Sequence, residues 1–342
     1  MIKVEAPKRV TSPKPRGRRF LVWLGRIVAG VLGLMLLGAG YESVSEAADA
    51  RTYSPPGQMV DVGGFRLHLH CAGTGSPTVV VEAGWGDWSA SWSSWVQPGV
   101  AKTTRICIYD RAGMGYSEAG PLPRSAENFV PELHTLLHQG GVPGPYVMVG
   151  HSMGGFMVRM FAHQYASEVS GVVLIESMSP SGAKPSTMPS PRASPPTIPD
   201  STARWVLTLP ARIGLVRLLS GPIGMKPASL PPEEANAYVA YSVTPLSLET
   251  VLEEGQGMSE SSVQAGAIQS LGAMPLIVLS RGRAEDKEQE WQQQQTESLQ
   301  LSSNSQQLFA DKSGHNIQSE QPDAAIGAIV TMVEQIRRPA TP

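Results

Sequence analysis

The stretch PYVMVGHSMGGF, residues 145–156, decides the fold of this 342-residue chain. Residues 146–150 form a continuous apolar run, which is typical of a buried parallel strand. Residues 155–166 have the pattern of a helix. Between them Ser152 is flanked by Gly150 and Gly154 in GxSxG spacing. The pattern predicts a tight strand-to-helix turn that exposes the hydroxyl of Ser152, with glycines where any side chain would collide with a neighbouring strand or helix.

Similar apolar runs recur along the chain, and helical stretches separate most of them. Two short segments, 58–62 and 65–71, are joined by Gly63 and Gly64 and predict an antiparallel hairpin at a sheet edge. The other predicted strands are 78–84, 105–110, 146–150, 171–176, 275–280 and a last one that begins at 306, with helices over 130–141, 155–166, 288–302 and 324–337. This order predicts an α/β fold with a mostly parallel eight-stranded sheet and helices on both faces.

One long segment, residues 178–265, interrupts this alternation after the sixth strand. It contains a stretch rich in proline and serine, followed by short helical pieces. We expect a lid insertion over the carboxyl edge of the sheet, where open α/β folds bind ligands. The alternative for residues 180–200 is a disordered loop without function. The core domain is then formed by residues 58–177 and 266–338.

The N-terminal region has the pattern of a membrane anchor. Residues 1–19 carry seven Lys or Arg and one Glu, and residues 20–41 form an apolar segment with Arg26 as its single charge. This length can span a bilayer, and Arg26 can snorkel towards the basic side. The basic flank predicts a cytoplasmic tail, a single-pass signal anchor at 20–41, a linker at 42–57 and a core domain outside the cytoplasm. A cleaved signal, with AxA at 48–50 and a secreted product, and a buried core helix are the alternatives.

Composition and motif content exclude several classes of function. Without the tail and Arg26, the chain has 19 basic and 28 acidic residues, so it offers no footprint for nucleic acid. We find no cysteine and histidine cluster with zinc spacing and no GxGxxG after a first strand, so neither a metal nor an organic cofactor is expected.

A serine nucleophile needs a base, and His315 is the best placed of the seven histidines. It follows the last predicted strand in DKSGHN, at the sheet edge where Ser152 emerges. The chain order of serine first and histidine near the C-terminus agrees with this assignment. His315 is therefore predicted to be the general base.

These motifs resemble those of the α/β-hydrolase superfamily over residues 58–337. VEAGWGDWSASW is similar to the family's oxyanion-hole segment, YDRAGMGYSE to its turn after the fourth strand, and VGHSMGG and SGH to its nucleophile and histidine positions. The resemblance implies that the backbone N–H groups of Trp85 and Met153 form an oxyanion hole. The bulky Trp85 departs from the small or aliphatic residue common there, so its ring either shapes the acyl pocket or simply packs. Asp110 and Arg111 would have a structural role.

The resemblance leaves the catalytic acid open between two positions. The family usually places it after the seventh strand, where Asp286 is the primary candidate and Glu285 the neighbouring one. Some members use a carboxylate after the sixth strand, where Glu176 ends an apolar run. Glu285 and Asp286 would also favour the start of a helix without any catalytic role.

The resemblance implies acyl transfer without a cofactor. Ser152 would attack the carbonyl of a carboxylic ester, or a related acyl bond, of a small or lipid-like molecule, and water would release the acyl group. An aspartate at this turn would instead have indicated an epoxide hydrolase or a dehalogenase. The alternative is a non-enzymatic or slow-turnover receptor for small ligands on the same fold.

The sheet order of the family also implies a disulfide. Its second strand lies antiparallel beside its fourth, and Cys71 and Cys107, the only two cysteines, lie on these strands. An exported domain would meet an oxidising compartment. The alternative is two buried free thiols, since a one-residue shift of either strand would turn one side chain to the opposite face.

Overall fold

The computed structural model describes residues 16–180, 201–282 and 289–338, and within them eight strands form one sheet. The strands are β1 (Gln58–Asp61), β2 (Arg66–Ala72), β3 (Thr78–Glu82), β4 (Ile106–Tyr109), β5 (Tyr146–His151), β6 (Val169–Ile175), β7 (Leu276–Arg281) and β8 (Ser305–Ala310). Their spatial order is β1-β2-β4-β3-β5-β6-β7-β8. The predicted eight-stranded α/β sheet is confirmed.

The directions of the strands bring the carboxyl ends of several of them to the same edge of the sheet. β2 is antiparallel to both β1 and β4, whereas β3 to β8 run parallel to their neighbours. The carboxyl ends of β3, β5, β6, β7 and β8 therefore meet at the same edge. Loops that follow these strands can converge on one site there.

Helices cover both faces of the sheet and continue beyond its edges. They are α1 (Arg16–Thr52), α2 (Ala90–Ser93), α3 (Val96–Ala101), α4 (Ala126–Gln139), α5 (Gly154–Gln164), α6 (Ser201–Leu207), α7 (Leu209–Arg212), α8 (Leu215–Ser220), α9 (Pro232–Ser242), α10 (Pro245–Gly266), α11 (Gln289–Ser298), α12 (Ile317–Glu320) and α13 (Pro322–Arg337), with a 3₁₀ turn at Leu299–Leu301. The helices predicted from sequence correspond to α4, α5, α11 and α13.

The two faces of the sheet bury separate apolar layers. Alternate strand residues point to opposite faces, so Val80 faces α4 and α5 while Val79 faces α3 and α13. Phe129 of α4 and Phe156 of α5 are fully buried in the first layer. Because both faces are covered, the central strands consist of continuous apolar runs.

A disulfide joins the two cysteines. Cys71 of β2 lies directly opposite Cys107 of β4 in the antiparallel register, with the Cα atoms 4.0 Å apart. The predicted bridge is confirmed, and the strands are in the register that places both side chains on the same face.

The N-terminal helix is longer than predicted. Its portion Phe20–Thr52 has the length and hydropathy of a membrane-spanning helix, with a mean hydropathy of 2.2 in an 18-residue window that is entirely unburied. Residues 42–52 of the segment predicted to be a linker, 42–57, continue the helix. Contacts with another helix stabilise this extension, because Glu42 and Asp49 both accept hydrogen bonds from Arg217 of α8.

The helices between β6 and β7 form a separate layer at the carboxyl edge of the sheet. We call residues 201–266, which contain α6 to α10, the inserted segment. Within it α10 packs against α4 and α5, α9 against α1 and α2, and α7 against α1. Most of the proline and serine-rich part of the predicted lid, residues 181–200, lies outside the described residues.

Candidate active site

Ser152 occupies a strained turn between β5 and α5. Its φ is 52°, in the left-handed region that side chains disfavour. A Cβ on Gly150 would lie 2.9 Å from the carbonyl oxygen of Gly154, and one on Gly154 would lie 2.5 Å from that of Glu82 in β3. Both glycines are therefore required by close backbone packing. The turn presents the Ser152 side chain at the carboxyl edge of the sheet.

The segment after β3 and the residue after Ser152 carry the two amides predicted for an oxyanion hole. Met153 directly precedes α5, where the helix dipole adds a positive field. Among the hydrogen bonds of the described residues, none is donated by the backbone N–H of Trp85 or Met153 to another protein group. The indole Nε1 of Trp85 donates to the carbonyl of Val251 in α10 over 2.8 Å, so the ring packs against the inserted segment.

His315 lies in the loop after β8 and lines the same cavity as Ser152. Its Nδ1 is 3.4 Å from Oε2 of Glu176, and the ring of Trp291 packs edge-on against it with centroids 5.5 Å apart. The loop itself is fixed by Glu320, whose carboxylate accepts from the Gly314 amide over 2.7 Å. The imidazole is thus held with Nδ1 towards Glu176 and Nε2 available to another group.

Glu176 follows β6 and is completely buried. Its φ of 45° makes it, with Ser152, one of two described non-glycine residues with positive φ. Besides facing His315, its carboxylate accepts hydrogen bonds from the Arg281 amide over 2.7 Å and from the Trp291 indole over 2.8 Å. These donors hold the carboxylate in place beside the imidazole.

The structure therefore brings Ser152, His315 and Glu176 to one edge of the sheet. The other two carboxylates considered for the acid, Glu285 and Asp286, lie in residues 283–288, outside the described residues. Of the three carboxylates, Glu176 is the one for which a contact with His315 is described.

His151, the residue before Ser152, links the nucleophile turn to the histidine loop. Its Nε2 donates a hydrogen bond over 3.0 Å to the backbone carbonyl of His315. The side chain is buried, and burial lowers the pKa of His151 to about 3, with the nearby His315 adding to the effect. His151 is therefore neutral at ordinary pH and acts as a fixed donor. From the sequence, His151 was recognised only as the neighbour of Ser152. Its hydrogen bond to the backbone of His315 was not predicted.

A buried ion network lies beneath residues 83–87, which we call the oxyanion segment after the role predicted for it from the sequence. Arg111 donates to Glu82 over 2.7 Å, to Glu254 of α10 over 2.6 Å and to the carbonyls of Ala83 and Gly84. Glu254 also accepts from the Gly86 amide over 3.1 Å. Burial alone would lower the pKa of Arg111, but Glu254 and Glu82 raise it above its ordinary value.

This network has two consequences for the site. Arg111 has the structural role expected of it, because it holds the Gly84 carbonyl before Trp85 and its partner Glu254 holds the Gly86 amide after it. Glu254 was missed by sequence reasoning, since 143 positions separate it from Arg111. The sequence carried one weak indication of a buried ion network, because Glu82 is a charged residue at the end of an otherwise apolar strand.

The described residues contain one cluster with metal-ligand chemistry, His134, His138 and Glu168. Glu168 accepts from both imidazoles, over 3.0 and 3.1 Å, and so satisfies them without an ion. Glu168 immediately precedes β6, which places the cluster at the amino edge of the sheet, opposite Ser152. It takes no part in the candidate active site.

A cavity of 460 Å³ opens onto Ser152 and His315. The core domain contributes Trp85, Asp87 and the α12 region, and the inserted segment contributes Pro227, Ser229, Leu230 and Tyr238. Burial raises the pKa of Asp87 to about 6. The cavity thus combines the Ser152 hydroxyl, the His315 imidazole and a wall of polar and apolar residues from two parts of the chain.

Comparisons with known proteins agree with this architecture. A family model of the α/β-hydrolase fold matches residues 77–220. An uncharacterized protein of Bacillus subtilis, YqjL, is 27% identical over 265 residues, which cover 76% of this chain and 85% of that protein. An uncharacterized protein of Schizosaccharomyces pombe is 32% identical over 152 residues, but the match covers 36% of this chain and only 28% of that protein.

A solved structure extends the similarity to most of the fold. The epoxide hydrolase CorEH superposes with a TM-score of 0.64 at 19% identity, covering 82% of this chain and 99% of that one. At this identity the likeness concerns the fold and not the reaction. The strand order, the strained serine turn after β5 and the family match lead to one assignment: the chain has the α/β-hydrolase fold.

Proposed function

We propose that the protein is a serine hydrolase that cleaves carboxylic esters through an acyl-enzyme on Ser152. The observation that carries this proposal is the placement of His315 between the Ser152 cavity and the buried carboxylate of Glu176. Ser152, His315 and Glu176 then act as nucleophile, base and orienting acid of a catalytic triad. Glu176 is the proposed acid because its contact with His315 leaves Nε2 of the imidazole for the serine proton.

Each chemical step can be assigned to a group of this site. Ser152 Oγ attacks the ester carbonyl carbon while His315 Nε2 takes its proton, and the carbonyl oxygen becomes an oxyanion held by the amides of Trp85 and Met153. The intermediate collapses, the alkoxide leaves as the alcohol with the proton from His315, and the acyl group stays on Ser152. Water, deprotonated by His315, then hydrolyses the acyl-enzyme and restores the serine. A single oxyanion donor typically contributes about 3 kcal/mol to such a transition state.

The serine distinguishes this reaction from others that use the same fold. Attack by a hydroxyl on an acyl group forms an ester that water can cleave, which suits esters, thioesters and amides. The similarity to an epoxide hydrolase is one of fold, and an aspartate would be expected at the turn for that chemistry. The cavity of 460 Å³ favours a substrate with a small to medium acyl or alcohol group near Ser152.

The inserted segment is proposed to be a lid. Its residues 227–230 and Tyr238 form one wall of the cavity, and Glu254 and Val251 of α10 bond to the oxyanion segment. Hydrogen bonds between the two parts couple the position of the lid to the geometry at Trp85. Helix α1 is proposed to be a single-pass anchor with the hydrolase domain outside the cytoplasm, in agreement with its unburied apolar window.

Steady-state kinetics on p-nitrophenyl esters of graded chain length test the hydrolase proposal. We expect turnover by the wild-type protein and loss of turnover in Ser152→Ala, with circular dichroism unchanged. Ser229→Ala, which alters a serine of the same cavity, is the matched control and should retain activity. A single stoichiometric release of product without turnover would instead favour the slow ligand receptor.

A reporter fused after residue 342 tests the topology separately. An enzyme reporter that works only in an oxidising, extracytoplasmic compartment should be active in this fusion. Activity only of a cytoplasmic reporter would contradict the proposed orientation. This result does not depend on whether the domain hydrolyses esters.

A further inference from the structure

The inserted segment carries a row of large apolar side chains that face solvent. Leu218 and Ile223 are 59% and 64% exposed. The other members of this set are Trp205, Val206 and Leu207 of α6 and Leu215 and Leu219 of α8. We call these seven residues the apolar face. Exposed large apolar side chains on successive short helices are a sign of an interaction surface.

The part of the apolar face on α8 begins where the inserted segment touches α1. A Cβ on Gly38 would clash with the carbonyl oxygen of Ile213, and one on Gly214 would lie 2.6 Å from Tyr41. Helix α8 starts at Leu215, immediately after this contact. Gly38 and Tyr41 are also the last residues of the apolar run that begins at Phe20. The face therefore lies at the level where α1 would leave a bilayer.

A buried ion cluster fixes this arrangement. Arg217 of α8 donates to both oxygens of Glu42, over 2.8 and 2.9 Å, and to Asp49 over 2.5 Å. Glu42 is buried, and a two-point contact between a guanidinium and a carboxylate holds both orientation and distance. The apolar face cannot turn away from the membrane end of α1 without breaking this cluster.

Continuity with α1 identifies the partner of the face. Leu34, Leu36 and Leu37, just before the contact with Ile213, are more than two-thirds exposed and would lie in lipid. Trp205 extends the face with an amphipathic ring, a residue type enriched at membrane interfaces. A lipid leaflet in contact with α1 would reach both sets of side chains at once.

The face is also close to the cavity along the chain. Pro227, which lines the cavity of Ser152, lies four positions after Ile223, and four positions of chain extend over at most about 14 Å. The wall formed by 227–230 thus follows directly from the lipid-facing part of the segment. An acyl chain held in the leaflet could reach this wall without crossing bulk water.

We propose that the apolar face rests in the outer leaflet of the membrane that α1 spans and admits amphiphilic acyl esters from the bilayer to Ser152. The inference rests on the proposed anchor and hydrolase function and names the substrate class. Burial of exposed leucine and isoleucine side chains in the leaflet supplies the driving force. Soluble short-chain esters would reach the cavity without using this route.

Fluorescence quenching of the full chain in nanodiscs tests the location. The two native cysteines are joined in the disulfide, so one introduced cysteine takes a unique environment-sensitive label. Labels at Leu218→Cys and Ile223→Cys should be quenched by spin-labelled phosphatidylcholine and protected from aqueous iodide. Phe309→Cys, an equally exposed apolar site on β8, is the control and should show the reverse.

Two results would overturn the proposed location. Iodide access at residues 218 and 223 equal to that at 309, without lipid quenching, would show that the face is in water. Protection from iodide that disappears when the protein is diluted with empty lipid would show that a second copy covers the face instead.

Activity separates the substrate route from the hydrolase proposal. In the double variant Leu218→Asp, Ile223→Asp, hydrolysis of a long-chain ester dissolved in the nanodisc should fall by at least about tenfold, since each of the two apolar side chains contributes roughly this factor to partitioning. Hydrolysis of p-nitrophenyl acetate should not change. Equal rates of wild type and variant on both esters would overturn the route. Absence of wild-type activity on both would overturn the hydrolase function and, with it, the route, while the quenching data would still decide the location of the face.

Discussion

The Nδ1 atom of His315 lies 3.4 Å from the buried carboxylate of Glu176, although 139 positions separate the two residues in the chain. The contact arises because β6 and β7 are neighbours and the loop after β8 folds back over their carboxyl ends. Glu176 receives two further hydrogen bonds, from the Arg281 amide and Trp291, that keep its carboxylate in place. The position after β6 thus places a buried carboxylate beside the histidine.

Replacement of Glu176 by glutamine should lower kcat by roughly 100- to 10,000-fold, because the neutral amide no longer orients and stabilises the imidazolium. Stopped-flow or steady-state hydrolysis of p-nitrophenyl butyrate measures this loss. Glu285→Gln and Asp286→Asn are the matched controls and should retain activity within a few-fold. A larger loss in Asp286→Asn than in Glu176→Gln would assign the acid to the position after β7.

Glu254→Gln should destabilise the fold and the oxyanion segment together. Arg111 is fully enclosed, and removal of one of its two carboxylate partners leaves part of a buried charge uncompensated, at a cost of about 3 kcal/mol. Urea unfolding measures this, and kcat should fall more than KM changes, since the single oxygen of glutamine cannot serve both Arg111 and the Gly86 amide as the two oxygens of Glu254 do. Glu260→Gln, an exposed site on the same helix, is the control. Equal stability of the two variants would show that Glu254 has no such role.

Stability should decrease with decreasing pH because His151 is held neutral. Burial lowers the pKa of His151 to about 3, whereas the unfolded chain takes up a proton below about pH 6.5. Unfolding therefore binds a proton between these values, and the free energy of unfolding falls as the pH drops below about 6.5. Thermal unfolding from pH 7 to pH 4 should show a flatter profile for His151→Gln. The exposed-site variant His163→Gln controls for loss of an imidazole, and an unchanged profile in His151→Gln would contradict the assignment.

Removal of the disulfide should lower the free energy of unfolding by about 3 to 4 kcal/mol on the chain-entropy model, since the bridge closes a loop between residues 71 and 107. Chemical unfolding of Cys71→Ala, Cys107→Ala against the wild type measures the change. Mass spectrometry of exported protein alkylated without reductant should find no modified thiol. Two alkylated cysteines would show that the bridge does not form.

The sequence was sufficient to predict the sheet and the nucleophile turn because local patterns encode them. Parallel strands covered on both faces are continuous apolar runs, and the glycines at 150 and 154 are fixed by backbone contacts within this short turn. Helix α1 beyond Tyr41 was not predictable in this way. Residues 42–52 are polar, and their helix is stabilised by Arg217, which is more than 160 positions away in the chain.

The residues of the candidate site also divide into those that local patterns predict and those that depend on contacts between distant parts of the chain. Ser152 and His315 follow motifs and sheet order, so sequence alone proposes them. The choice of Glu176 and the positions of Glu254 and His151 depend on which loops meet after folding. Local pattern carries no signal for such pairs, and the apolar face of the inserted segment is visible only once α1 is seen to pack beside it.

Covalent labelling with a fluorophosphonate, followed by mass spectrometry of the digested protein, tests the central claim most directly. The account predicts one phosphonylated residue, Ser152, in wild-type protein and in Ser229→Ala, and none in Ser152→Ala. Labelling of the wild type at another residue, or full labelling of folded Ser152→Ala, would contradict the assignment of Ser152 as the nucleophile of a serine hydrolase.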